Sequence, residues 1–159
     1  MRKHEKKSEA KLFEQLVKEF QAVRGVRFLS IITHLYLDYF VNELVCREFA
    51  HPEEIIDGKV LGEFNNKVSL LKARGFFDEK QALEKNIALL TRIRNYYAHN
   101  LSDEGVPKEV EHRILELKEL PEFDKQPKEF FSAFKVGSAV EDDFRVRAIQ
   151  TVLVLAKES

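Results

Sequence analysis

The chain has 159 residues, 44% of them hydrophobic and 33% charged, with a formal net charge of −1. That size and apolar content suit a single domain spanning residues 1–159 with a proper core. The near-zero charge excludes a globally basic nucleic-acid binder, so phosphate binding needs a local patch or a cleft assembled in an oligomer.

The N-terminal MRKHEKKSEA is charged and lacks an apolar h-region, so no secretory signal is expected. Lys3, Lys6 and Lys7 make a basic tail interrupted by acids, best taken as solvated. A first helix is predicted over residues 8–24, with Ser8 as N-cap and Leu12, Phe13, Leu16, Val17 and Phe20 at helical spacing. Gly25 ends or kinks it. A second helix, residues 27–49, carries apolar side chains around most of its circumference, so it is expected to be central and surrounded. Its polar exceptions are His34, Asp38, Asn42 and Glu43. Cys46, the only cysteine, lies in an apolar run and is expected to be a small buried core residue. It cannot form an internal disulfide, and no Cys/His cluster indicates zinc.

Pro52 breaks the second helix, and residues 52–60 are predicted as a loop or short turn. A third helix over residues 61–73 is followed by Gly75 as its C′ residue. Asp78 is predicted to cap a fourth helix, with Gln81 completing a capping box. That helix carries Leu83, Ile87, Leu90, Ile93 and Tyr97 on one face and ends near Ala98. A polar turn follows at residues 101–106. Pro107 fits the first position of a short helix ending near Leu117, on which His112 and Arg113 are surface charges. Residues 118–127, with two prolines, are predicted to be irregular, and a last helix spans residues 140–156. No period-2 run is long enough for a strand. The fold class is therefore all-α, most simply a four- or five-helix up-and-down bundle. No stretch of about 18 uncharged apolar residues occurs, so no membrane span is expected and the chain reads as cytoplasmic.

The fourth helix closes on Arg92-Ile93-Arg94-Asn95-Tyr96-Tyr97-Ala98-His99-Asn100, which gathers two guanidiniums, an imidazole and two amides. An Arg is always charged and grips a phosphate with two parallel hydrogen bonds, and a His exchanges a proton near neutral pH. On an ideal helix Arg92, Asn95 and His99 share a face, whereas Arg94 and His99 diverge by about 140°. A long Arg or an unwound helix end brings Arg94 and His99 to one phosphate, so spacing alone leaves Arg92 and Arg94 both open as the working Arg. The plainer reading makes both arginines surface cations near a helix C-terminus and His99 a capping residue. Tyr97 belongs to the apolar stripe, and Tyr96 either packs or stacks on a base. His34 and Asp38, four apart, share a face and suit a mutual hydrogen bond. Either they order the bundle, or Asp38 pairs with Arg94 or Arg92 and tunes His99.

The run Arg94 to His99 resembles the motif of the HEPN superfamily: an Arg, four to six residues, then a His, with a polar residue after the Arg. Residues 64–77, and residues 27–44 with their embedded Asp38, resemble the corresponding segments of the mannitol-repressor-like branch, and the likeness covers roughly residues 25–105. The resemblance implies a helical bundle forming a two-fold homodimer, in whose cleft the Arg and His of both chains meet as a metal-independent, cofactor-free endoribonuclease leaving 2′,3′-cyclic phosphate and 5′-hydroxyl ends. Carried over, His99 is the general base or acid, Arg94 stabilises the phosphorane charge, and Asn95 orients His99 or binds a phosphate oxygen. Arg92, Asp38, Tyr96 and Asn100 are the candidate supporting or RNA-binding residues. The implied partners are RNA, a second copy, and an antitoxin or regulatory protein, in a toxin or defence setting. Toxins paired with nucleotidyltransferase antitoxins often carry Tyr two places after the His; here that position is Leu101, a departure. The mannitol-repressor-like branch implies the alternative, a non-catalytic transcriptional regulator or interaction module. A further alternative is an antitoxin-like protein that only holds a nucleotide.

Overall fold

The computed structural model describes residues 8–100, 105–123 and 129–159. The N-terminal lysines, Leu101 with the rest of the turn at 101–104, and residues 124–128 lie outside the described residues. In chain order the elements are α1 (Glu9–Ala22), α2 (Val26–Glu48), α3 (Pro52–Ile56), α4 (Phe64–Ala73), α5 (Gln81–His99), α6 (Lys108–Glu116), a 3₁₀ turn (Pro121–Phe123), α7 (Glu129–Ser132) and α8 (Ala139–Glu158). The described residues are all helix, turn and loop, with no strand, as the periodicity predicts.

α2 is the hub and packs against α8, α5, α4 and α3, while α8 also meets α5 and α6. The core joins Leu29, Leu37, Val41 and Leu44 of α2 to Ile87, Leu90 and Ile93 of α5 and Phe144, Ile149, Val152 and Leu155 of α8, all buried. Each such side chain stabilises the fold by roughly 1.5–3 kcal/mol through removal from water. That burial, spread over four neighbours of one helix, holds the bundle together.

Several boundaries differ from the sequence reading, each for a local reason. Residues 52–56, expected as part of a loop or short turn, form a helix, and turns follow it. Pro52 occupies the first turn, where its missing N–H has no partner to lose, Glu53 and Glu54 sit at the positive end of the helix, and Ile55 is buried. With α3 and α7 added, the bundle has more helical pieces than the four or five expected. Asp78 does not cap α5. Turns at Gly75–Asp78 and Phe77–Lys80 carry the chain two residues further, Lys80 is the N-cap, and no side chain caps that end. Pro107 stands at the N-cap of α6, one place before the expected position. The clear cap is one the sequence reading missed: Ser138 Oγ accepts from Glu141 N at 3.3 Å and starts α8 at Ala139.

α2 is not surrounded. Phe28, Ile31 and Leu35 form an i, i+3, i+7 stripe that stays 59%, 44% and 65% exposed, because its neighbours leave that edge uncovered. Cys46 is exposed rather than buried. It lies eighteen residues after Phe28, five whole helical turns, and so points in the same outward direction. Partial shielding of the sulfur from water, followed by the charges of Glu43 and Glu53, raises its thiol pKa.

One charged cluster ties the turn between α1 and α2 to the first turns of α8. Arg145 is 0% exposed and donates to Glu141 Oε2 at 2.7 Å, Asp142 Oδ1 at 2.7 Å, Val23 O at 2.9 Å and Phe134 O at 3.3 Å. Glu141 in turn accepts from Gly25 N at 2.6 Å, and Asp142 accepts from Val136 N and Gly137 N. Gly25 turns the chain between α1 and α2 at φ 86°, a left-handed conformation that only glycine adopts at little cost. A second polar clasp fixes the segment after α6: Asn86, fully buried on α5, pairs both its amide groups with the backbone of Lys118 at 2.8 Å.

Candidate functional site

α5 forms because Leu83, Ile87, Leu90, Ile93 and Tyr97 recur on one face, and that face is buried. The helix stays regular through His99, so the end does not unwind and the angular divergence of Arg94 and His99 on one chain persists. Arg92, Arg94 and His99 are exposed, while Asn95, Tyr96 and Asn100 are half-buried. Arg92 and His99, seven residues apart, share the face opposite the core, and Arg92 makes no hydrogen bond or ion pair with a described residue. Arg94 Nη1 donates to Asn95 Oδ1 at 3.1 Å, so the polar residue after the Arg steadies the guanidinium.

The residues beyond His99 close the helix. Asn100 is the C-cap; its Nδ2 donates to Tyr96 O at 2.8 Å and its carbonyl accepts from Arg27 Nη2 at 3.3 Å. The Arg27 guanidinium lies 5.4 Å over the Tyr97 ring, and Tyr97 Oη donates to Gly105 O at 3.2 Å. Tyr96 meets Tyr97 edge-on at 5.6 Å and packs against the core. Asn100 and both tyrosines thus hold the end of α5 against α2.

Arg94 faces the other candidate cluster. Half-buried His34 on α2 sets its ring 4.5 Å from Phe64 of α4. Burial lowers the imidazole pKa, the Arg94 charge lowers it further, Asp38 opposes, and Lys67 adds a smaller lowering. His34 and Asp38 make no hydrogen bond to each other in the structure. The Asp38 carboxylate belongs to Lys67, whose Nζ donates to Asp38 Oδ1 at 2.6 Å and to Asn42 Oδ1 at 2.7 Å. Neither Arg92 nor Arg94 is the partner of Asp38. Lys67 is 3% exposed and the Asp38 side chain 41%, so the lysine is the buried member of the pair.

The sequence reading missed Lys67. Its signal was available: Phe64, Lys67 and Leu71 are spaced i, i+3, i+7, which puts the lysine in the apolar stripe of α4. It also missed that Arg94 and His34, sixty residues apart, approach each other. The structure therefore brings together Arg94, Asn95, His34, Asp38 and Lys67 from three helices, and separates Arg92 and His99 onto the outer face of α5.

None of these residues lines the groove of about 460 Å³ that opens between α1, α2 and α8 around Leu12, Phe13, Leu16, Tyr39, Phe40 and Leu153. The motif lies instead on an open surface. Chemically, the Arg94 cluster can bind a phosphate through the guanidinium and the Asn95 amide, and the Arg94 charge helps lower the pKa of the His34 imidazole across from it. Among the described residues no group of three His, Cys, Asp or Glu is placed to hold a metal ion, and no helix is long and apolar enough to cross a membrane. No family model, curated protein or solved structure matches the chain.

Proposed function

We propose that this chain is a HEPN-type endoribonuclease that cleaves RNA without a metal, in the cytoplasm, at an Arg/His site completed by a second copy of itself. Arg94 holds and neutralises the scissile phosphate, Asn95 steadies Arg94, and His99 transfers a proton. Arg92, on the His99 face, adds positive charge along the RNA. The observation that carries this reading is the exposed, regular end of α5, which presents Arg94 and His99 in different directions. One chain cannot close both around a phosphate, whereas two copies related by a two-fold axis form a cleft that pairs them. The exposed stripe of Phe28, Ile31 and Leu35 supports the same assembly, since an apolar helix face of this kind marks an interaction surface.

The test is cleavage of single-stranded and structured RNA in EDTA. Wild type should give 2′,3′-cyclic phosphate ends, and Arg94→Ala and His99→Ala should each lose on the order of 10²-fold or more in rate. Identical RNA patterns from wild type and His99→Ala sink the nuclease reading. The stripe also favours a second reading, a non-catalytic regulator or partner-binding module of the mannitol-repressor-like kind. RNA cleavage with no DNA or protein partner in pull-downs would exclude it.

A further inference from the structure

Cleavage of a phosphodiester by its neighbouring 2′ hydroxyl uses a base for that hydroxyl and an acid for the departing 5′ oxygen. At Arg94, His99 of the same chain is turned away, so a second copy's His99 supplies one of these groups and the other remains to be found. The imidazole on the α2 side of Arg94 is that of His34, whose ring feels the Arg94 charge. α2 packs along α5, and Arg27 touches both Asn100 and Tyr97; His34 lies seven residues further along α2 and Arg94 six residues back from Asn100 along α5, so the register sets the two at similar levels of the helix pair. His34 is held there from a third side by the Phe64 ring of α4 at 4.5 Å.

We propose that His34 is the catalytic base of this site, taking the 2′ proton of an RNA whose phosphate is bound by Arg94. The inference rests on the ribonuclease reading above and adds a residue that the Arg-to-His motif does not contain. In the step, the 2′ hydroxyl gives its proton to the His34 ring and the 2′ oxygen forms a bond to phosphorus. The bond from phosphorus to the 5′ oxygen breaks, and that oxygen takes a proton from protonated His99 of the second copy. The products are a 2′,3′-cyclic phosphate and a 5′ hydroxyl, and before the next turnover His34 gives its proton to solvent while His99 of the second copy regains one from it.

The surroundings suit a base. The charged groups facing His34 are Asp38 on its own helix, Lys67 on α4 and Arg94 on α5. The Asp38 carboxylate is neutralised at 2.6 Å by Lys67 and is not hydrogen-bonded to the ring. Burial, then the Arg94 charge, lower the ring's pKa, with Asp38 opposing and Lys67 adding a smaller lowering, which favours the neutral ring, the form that accepts a proton. The Phe64 ring packs against the imidazole at 4.5 Å and has no hydrogen-bonding group to compete for the imidazole lone pair.

Two measurements test this. The first is RNA cleavage in EDTA by wild type, His34→Gln and His99→Gln. His34→Gln should fall by about 10²–10⁴-fold in rate while still retarding RNA in a gel. The second uses inorganic phosphate as the probe and follows the histidine ring signals of the intact protein by NMR. Phosphate should move the His34 resonances in wild type and leave them in place in Arg94→Gln. Cleavage by His34→Gln at the wild-type rate, in a preparation where His99→Gln is inactive, overturns the role of His34 and leaves the ribonuclease reading standing. His34 resonances indifferent to phosphate in wild type overturn the shared site, whether or not His34→Gln folds. A wild-type protein that cleaves no RNA overturns the ribonuclease reading and the base assignment together.

Discussion

Replacing Arg145 with methionine should be among the most damaging single substitutions in this protein. The guanidinium is fully buried and meets two carboxylates at 2.7 Å, each on a side chain only 13% exposed. Methionine fills much of the volume but leaves Glu141 and Asp142 without a counter-charge. Breaking a buried pair in this way costs about 3–5 kcal/mol. The surviving bonds from Gly25 N, Val136 N and Gly137 N to those carboxylates argue for the low end, and so does Arg145 Nε, which is buried without an acceptor among the described residues. A loss of about 3 kcal/mol corresponds to a fall of roughly 6–12 °C in Tm for a domain of this size. Urea and thermal unfolding followed by circular dichroism would read it. Adding Glu141→Gln and Asp142→Asn to Arg145→Met should recover much of the loss, because the stranded charges, not the missing contact, carry most of the penalty. A loss below about 1 kcal/mol for Arg145→Met would refute the view that this cluster fastens the fold.

Asp38→Ala should destabilise by about 1–3 kcal/mol in urea unfolding, since it leaves the buried Lys67 ammonium with Asn42 alone; a neutral effect would mean that Lys67 reaches water unaided. His34 gives a stability-linked pH effect. Its folded pKa is lowered below the unfolded 6.5, so the folded state binds fewer protons there; stability is fully present above 6.5 and declines as pH falls from 6.5 through the lower folded value. His34→Gln should flatten that limb in Tm measured against pH, and an unchanged profile would show that another group is responsible. Leu35→Glu should convert a dimer at micromolar concentration into a monomer by sedimentation velocity with the helical spectrum intact, whereas a dimer that survives Leu35→Glu and Phe28→Glu together does not use the α2 stripe.

The helical class and the long helices were legible because apolar side chains at a 3.6 period dominate them, as in α5. The short helix after Pro52 was not, since five residues carry too little periodicity to outweigh a proline that stops one helix while starting the next. α2 was misjudged in its surroundings: an apolar circumference tells that a helix wants cover, and Phe28, Ile31 and Leu35 show that its own chain does not supply all of it. At the site, the C-terminal end of α5 and the divergence of Arg94 and His99 followed from residue spacing. The approach of His34 to Arg94 and the pairing of Lys67 with Asp38 did not, because each depends on how separate helices meet. Arg145 was the hardest to see. It looks like one more charge on a mixed helix until the carbonyl of Val23 and the loop before α8 are brought to it.

The cluster around Arg145 and Gly25 also bears on the order in which the protein is made. It joins residues 116 and 122 positions apart, and α8 is a principal neighbour of α2 as well. While the ribosome is still synthesising the middle of the chain, the turn at Gly25 has no carboxylate to hold it and the apolar flank of α2 has no cover. The contacts that hold the Gly25 turn and cover this flank of α2 therefore form only once α8 has been made.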